Sequence, residues 1–256
     1  MAAQEHAGLL GPNDPDPVEV VHPSSPAEVV LVCEHAGRHI PCALDGLGIS
    51  DQVLNSHRGW DIGAAAVARR LAAHLNAPLV LQRYSRLVID ANRPPGSATS
   101  IPAVSHGADI PANCGLSDAD TASRVSEILR PMDRAIEQTF QRHPRRAAFS
   151  VHSYTPELGG THRPWHAGML TRRSPETAER LLASLRRDDP DLTVALNQPY
   201  RIEDDGDWFI PHHVEPRDLP HSLIEIRNDE IADDAGADRW AGLLASAITD
   251  VLEELT

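Results

Sequence analysis

Along this chain, short β-branched runs alternate with longer stretches in which apolar residues recur at helical spacing. Val18 to Val21 and Val29 to Cys33 predict strands, as do Pro78 to Gln82, Leu87 to Ile89, Ala147 to Val151, Ala167 to Leu170, Thr193 to Leu196 and Ser222 to Ile226. Helices fall between them. Asp61 stands where a cap belongs for an Ala-rich amphipathic stretch reaching about Leu75. Ser117-Asp118 opens a second helix to roughly Arg142, with Val125, Ile128, Leu129, Met132 and Ile136 at the apolar positions. Ser174-Pro175 starts a third, to about Arg187, with proline in the first turn where its missing N–H is no loss. From Asp233 a C-terminal helix aligns Trp240, Leu243, Leu244, Ile248, Val251 and Leu252 on one face. This alternation predicts an α/β fold in three layers, α/β/α, around a central mostly parallel (mixed) sheet covered on both faces. Asn92 to Asn113 is rich in Pro, Gly, Ser and Ala and has no period, so it predicts a long loop, of a length that is ordinarily functional or mobile.

Ligands of such sheets gather at the carboxyl ends of the strands. Four apolar runs here lead into chemically capable residues: Glu34-His35-Ala36-Gly37, Asp90-Ala91-Asn92-Arg93-Pro94, His152-Ser153-Tyr154 and Glu225-Ile226-Arg227-Asn228-Asp229. Two His and a carboxylate make an open catalytic zinc site. Such a metal activates water and polarises a carbonyl. A separate carboxylate is needed to move the proton, and Arg can grip a substrate carboxylate. Taken singly, each residue has a plainer explanation. A lone His after a strand is ordinarily a hydrogen-bonded structural residue. Glu225 in an apolar strand needs a partner, and that partner could simply be Arg227. His57, His106, His162, His166, His212 and His213 read as surface or loop residues, with His212 and His213 able to reach the site.

Composition narrows the chemistry. The 256 residues are 41% hydrophobic and 23% charged, enough for one core, so a single domain is expected over 1–256, with 1–16 a loose N-terminal segment. There is no Lys, which excludes Schiff-base lysines, a phosphate-loop lysine and a Ser/Lys dyad. Three scattered cysteines argue against a disulfide framework or a Cys-based zinc knuckle. A net charge of −14 and 4% aromatic residues disfavour nucleic acid and anionic membranes. With no long apolar run and no signal-like start, the expected location is the cytoplasm.

The motifs at the strand ends, with Trp60-Asp61-Ile62-Gly63-Ala64 and Asn197-Gln198-Pro199-Tyr200, resemble as a set the N-formylglutamate amidohydrolase family, in order from about residue 30 to 231. That family is similar in fold to zinc carboxypeptidases and other zinc-dependent exopeptidases (phosphorylase/hydrolase-like). Within the resemblance, His152-Ser153-Tyr154 resembles the segment of the second zinc His, Asn92-Arg93 the pair for a terminal carboxylate, and Glu225-Ile226-Arg227 the segment of the general base. The carboxypeptidase His-x-x-Glu is absent, because Arg38 follows His35 at that spacing. The carboxylate ligand is therefore sought elsewhere, first at Asp61, then at Glu34.

The resemblance implies an amidohydrolase in which His35, Asp61 and His152 hold Zn2+ or another divalent metal. Glu225 acts as base, Arg86 or Arg227 steadies the oxyanion, Asn92 and Arg93 grip an α-carboxylate, Arg201 is the candidate for a second carboxylate, and Tyr154 also binds substrate. The partner is a small acidic N-acyl amino acid such as N-formylglutamate, with oligomeric state open. Two alternatives stand beside it: a carboxypeptidase-like metallopeptidase, and a non-catalytic binding module on the same fold.

Overall fold

The computed structural model describes residues 8–204 and 206–255. In chain order these form β1 (Val18–Val21), β2 (Val29–Cys33), the single turn α1 (Asp51–Leu54), α2 (Ala64–Leu75) and β3 (Leu79–Gln82). A two-residue hairpin, β4 (Val104–Ser105) and β5 (Ala108–Asp109), precedes α3 (Asp118–Arg124) and α4 (Arg130–Arg142). Then follow β6 (Ala147–Tyr154), a second small hairpin of β7 (Glu157–Leu158) and β8 (Thr161–His162), and β9 (Ala167–Leu170). The chain ends with α5 (Pro175–Asp188), β10 (Val194–Leu196), β11 (His221–Arg227) and α6 (Asp234–Glu254).

Seven strands make one mixed sheet in the order β1-β3-β2-β6-β11-β9-β10. The pairs β3/β2, β2/β6, β6/β11 and β9/β10 are parallel, while β1/β3 and β11/β9 are antiparallel. Side chains alternate across β2. Val29, Leu31 and Cys33 join a core with α2, α5 and α6 that includes Trp240, whereas Val30 and Val32 join Met132 and Ile136 of α4 and Phe209 on the other face. A strand buried on both faces has to be apolar throughout, which is why β2 reads as an unbroken run. The expected three layers and mostly parallel mixed sheet are therefore present. Among the described residues no helix is long and apolar enough to cross a membrane.

Four details depart from the pattern reading. Leu87 to Ile89 is a turn, held by Val88 N donating to Ser85 O and Leu87 N to Ser85 Oγ. Those residues are apolar because they pack with Leu47, Ile110 and Ile128, not because they pair in a sheet. The helix after Ser117 has the expected start, with Ser117 and Asp120 closing a capping box, but Val125–Leu129 is wound as a π-helix. Pro131 follows at once, and its lack of an N–H removes a regular bond there. Asp61 does not cap α2; Gly63 occupies that place at φ 83, and a Cβ there would lie 2.3 Å from Ile231 O. The segment expected to be loose is tied down from Leu9 onward. Leu9 and Leu10 donate their amides to the Glu127 carboxylate, and both side chains pack on a buried cluster; residues 1–7 lie outside the described residues.

The long loop is anchored, too. Asn113 Nδ2 donates to Leu87 O and Pro102 O, and the buried Arg124 guanidinium bonds Val88 O, Asn113 Oδ1 and Ala112 O. On the far side of the sheet, Gly168 of β9 faces the carbonyl of Gln198, where a Cβ would sit 1.5 Å from the oxygen. That close approach brings the segment from Asn197 to Arg201 over the strand ends. Gly168→Ala is therefore expected to cost about 2 kcal/mol or more through overpacking against backbone. Gly242→Ala, in open space on α6, should instead gain about 0.5–1 kcal/mol from helix propensity. Urea unfolding of the two variants checks the contrast; equal stabilities would mean that the Gln198 backbone yields.

Candidate metal centre and substrate cavity

Four segments bring the central residues together. His35 lies two residues beyond β2. Its loop crosses the chain at Arg83, where Gly37 approaches so closely that a Cβ would be 2.0 Å from Arg83 O. The Asp61 amide donates to His35 O at 3.0 Å, pinning the second loop to the first. Ser153 Oγ holds that loop from β6 by donating to Ile62 O at 2.8 Å. His152 lies within β6, directly opposite Glu225 in the parallel register with β11.

Three donor atoms converge. His152 Nδ1 is 2.8 Å from Asp61 Oδ2 and 3.1 Å from His35 Nδ1, and His35 Nδ1 is 3.3 Å from Asp61 Oδ2. All three side chains are buried. Two nitrogens bound tetrahedrally to zinc at 2.0–2.1 Å stand about 3.3 Å apart, so this spacing is compatible with a ligand set. The outer nitrogens face carboxylates. His35 Nε2 is 2.7 Å from Asp90 Oδ1, and His152 Nε2 is 3.0 Å from Glu34 Oε2, although off the bonding direction. An Nε2–H given to Asp90 leaves the lone pair on Nδ1 of His35, the tautomer a metal ligand needs.

Arg86 closes the layer behind the cluster, donating to Asp90 Oδ2 from Nη2 at 2.8 Å and to Asp61 Oδ1 from Nη1 at 3.3 Å. Glu34 is held by Ser150 Oγ at 2.5 Å. Burial by itself raises the Asp61 and Asp90 carboxyls. It is overcome at Asp61 by the two imidazoles and at Asp90 by Arg86 and His35, so both lie below their ordinary range. Burial disfavours charge on His152, yet Glu34 and Asp61 hold its pKa well above the ordinary value. His35 is raised as well, by Asp90 and Asp61 against burial and Arg86. Carboxylates thus outnumber guanidinium groups, and the excess raises the proton affinity of both imidazoles. A divalent cation at the shared Nδ1 point satisfies the same excess, so the residues fit a metal site. Glu225 differs from its neighbours: burial pushes its carboxyl up to about 8, and its Oε2 has no protein partner among the described residues.

The cluster opens into a cavity of about 580 Å³, lined by His35, Asp61, Arg86, Asn92, Arg93, His152, Tyr154, Arg201 and Glu225 from the sequence expectation, with Tyr200, His57 and His106 added. The N-formylglutamate amidohydrolase family profile matches residues 27–232. The chain belongs to that family. As an N-formylglutamate amidohydrolase family member, it is a hydrolase of amide C–N bonds. The structure of a gene product from Agrobacterium tumefaciens is similar at 35% identity, covering 96% of this chain and 99% of that one with a TM-score of 0.91. An N-formylglutamate amidohydrolase from Ralstonia eutropha JMP134 shares the fold at 18% identity and a TM-score of 0.66, over 94% of this chain and all of the other. No curated protein matches the chain.

In this family member several expected roles need correction. Arg227 does not line the cavity; it is engaged by Asp229, Glu230 and the carbonyls of Pro164 and Trp165, which removes it from the oxyanion. Tyr154 lines the cavity but gives its hydroxyl to Trp165 O, so it offers a ring face and no donor. Asn92 spends its carbonyl on the amides of Trp208 and Phe209 and one N–H on Asp207, which leaves a single N–H. Glu34 stands on the outer nitrogen of His152, while Asp61 completes the converging cluster. His213 bonds Asp133 and neither it nor His212 lines the cavity. The pattern reading missed Asp90 as a partner of His35, although it stood in a quoted motif. It also left His57 and His106 as loop residues, and they stand at the cavity with rings 5.2 Å apart.

The outer carboxylate yields a direct test. If the cluster takes up a divalent metal, Asp90→Asn is expected to weaken that binding by about 10–100-fold, read by competition with a chromophoric chelator. Unchanged affinity would take Asp90 out of the positioning of His35.

Proposed function

We propose that the protein hydrolyses the N-formyl, or another small N-acyl, amide of an acidic amino acid, with N-formylglutamate the first candidate. The observation that carries this reading is the convergence of His35, Asp61 and His152 beside Glu225, in a cavity that also holds Arg93. His35 Nδ1, His152 Nδ1 and Asp61 would hold the metal, with zinc first by its preference for such a donor set. When bound, that metal supplies a Lewis acid that polarises the amide carbonyl and acidifies water.

The chain's own residues do the rest. Glu225 removes a proton from the attacking water and delivers it to the departing nitrogen. A carboxyl whose burial brings it to about 8 can both accept and return a proton near neutral pH. Its Oε2, without a hydrogen-bond partner among the described residues, leaves that exchange uncontested by their donors. Arg86, fixed by Asp61 and Asp90, places positive charge beside the carbonyl oxygen as it becomes negative. Arg93, whose one carboxylate approach among the described residues is 3.9 Å to Asp90, keeps its fork available for an α-carboxylate, with the remaining Asn92 N–H beside it. Addition of water and loss of the amine give a carboxylate, formate in the first case, and the free amino acid.

Elemental analysis of the purified protein is expected to give about one divalent ion per chain. Wild-type turnover of N-formyl-L-glutamate should exceed that of a small peptide and vanish with chelation. Glu225→Gln should lower kcat by about 100–10,000-fold at unchanged zinc content. Arg93→Ala should raise KM by about 10-fold or more, the worth of a charge-assisted contact. A Glu225→Gln protein with full activity would sink the proton role, and no metal uptake at all would sink the reading itself.

A further inference from the structure

Arg163 is a buried cation beside the cavity with an unusual set of partners. It is 7% exposed, and its guanidinium lies between two tyrosine rings, 5.7 Å from the centroid of Tyr154 and 5.1 Å from that of Tyr200. Among the described residues no carboxylate lies within ion-pair distance of it, whereas Arg86, Arg172 and Arg227 each pair with two or more. Arg124 and Arg145 are also buried without carboxylates, but each spreads its bonds over two nitrogens onto backbone or amide oxygens. Arg163 makes both of its hydrogen bonds from Nη1, to Tyr200 Oη at 2.9 Å and Thr155 O at 3.4 Å. A buried guanidinium so sparsely used is costly unless an anion comes to it.

Tyr200 connects that charge to the cavity. It lines the wall and is 41% exposed. Its hydroxyl accepts from Arg163, so its own O–H proton has no protein acceptor among the described residues. Burial raises its pKa, which keeps it a donor. The segment that carries it is fixed at one end by Asn197, whose amide donates to Met169 O and whose Oδ1 accepts from Thr171 N. Arg201, the sequence expectation for a second substrate carboxylate, is exposed, where water and salt weaken a single charge.

We propose that Arg163 and Tyr200 form the recognition point for a second substrate carboxylate, the one on the amino-acid side chain. This rests on the reading of the site as an amidohydrolase for acidic N-acyl amino acids. The Tyr200 O–H donates to the carboxylate, and Arg163 supplies the charge from behind, aligned by the two tyrosine rings. Arg93 takes the α-carboxylate from a different wall, and the two anchors together select a dianion over a monoanion of equal size.

The test pairs turnover with binding. Wild-type kcat/KM is compared for N-formyl-L-glutamate and its neutral isostere N-formyl-L-glutamine, and calorimetry compares L-glutamate with L-glutamine on the zinc-loaded protein. Wild type is expected to prefer the glutamyl compound in both assays. Tyr200→Phe should cut that preference by about 10-fold, mainly through KM, at unchanged zinc content. Arg163→Gln should cut it further, with partial rescue in Arg163→Lys. A glutamate preference in binding that Tyr200→Phe abolishes supports the anchor even if neither formyl compound is turned over, an outcome that would count against the hydrolytic reading alone. Equal preference in wild type and Tyr200→Phe overturns the anchor, whatever the turnover.

Discussion

The Asp61 carboxylate is the contact on which the site depends. One oxygen, Oδ2, meets His152 Nδ1, His35 Nδ1 and the Ser153 amide, while Oδ1 takes a guanidinium N–H of Arg86. No single element could supply that set. His152 and Ser153 come from β6, His35 from the end of β2, and Arg86 from the turn after β3. Parallel pairing of β2 with β6 puts the carboxyl ends of both strands at the same edge. The Asp61 backbone then closes the gap by bonding to His35 O. The sheet sets the register, and the carboxylate converts that register into a point where three donor atoms meet.

Burial sets the carboxyl groups of the site two different ways. Asp61 and Asp90 are buried among imidazoles and a guanidinium and stay ionised. Glu225 is buried in the same wall without a bonded cation, so its carboxyl rises to about 8. In the proposed hydrolysis, carboxyls driven apart by environment supply one group to hold charge and one to move a proton. The register partner of Glu225 is His152, so the proton-moving group lies beside the converging cluster and not across the cavity from it.

The sheet was legible because strands buried on both faces need apolar runs: β2 has an unbroken one, and β6 and β11 carry shorter ones, Ala147 to Phe149 and Leu223-Ile224, that lead into polar residues. His35, His152 and Glu225 were legible because each stands where such a run turns polar. What escaped was decided by contacts remote in sequence. Leu87 to Ile89 carries the same apolar signature as a strand, since burial in a turn demands the same side chains. Asn92 looked free, but its amide is satisfied by residues 207–209, which nothing near position 92 announces. Arg227 was closer to readable, for Asp229 and Glu230 follow at the spacing that captured it. Arg163 stood alone in a stretch of Gly, Thr and Pro without any periodic signal, and only the two tyrosine rings give it a context.

For a chain of net charge −14, the acidic substrate proposed above requires an attraction that is local. Beyond about 8 Å at physiological salt, the field of the whole protein is largely screened, and what an incoming carboxylate meets is the wall of the cavity. There the guanidinium groups differ in how far they are already neutralised. Arg86 is paired to two carboxylates, as is Arg227, which does not line the cavity. Arg93 keeps one distant carboxylate and Arg163 has none among the described residues. In the proposed reaction, selectivity for acidic groups rests on the guanidinium groups left underpaired, while Arg86 also holds Asp61 and Asp90 in place. With no lysine in the chain, this division of labour falls within a single residue type, set by what each Arg finds within reach.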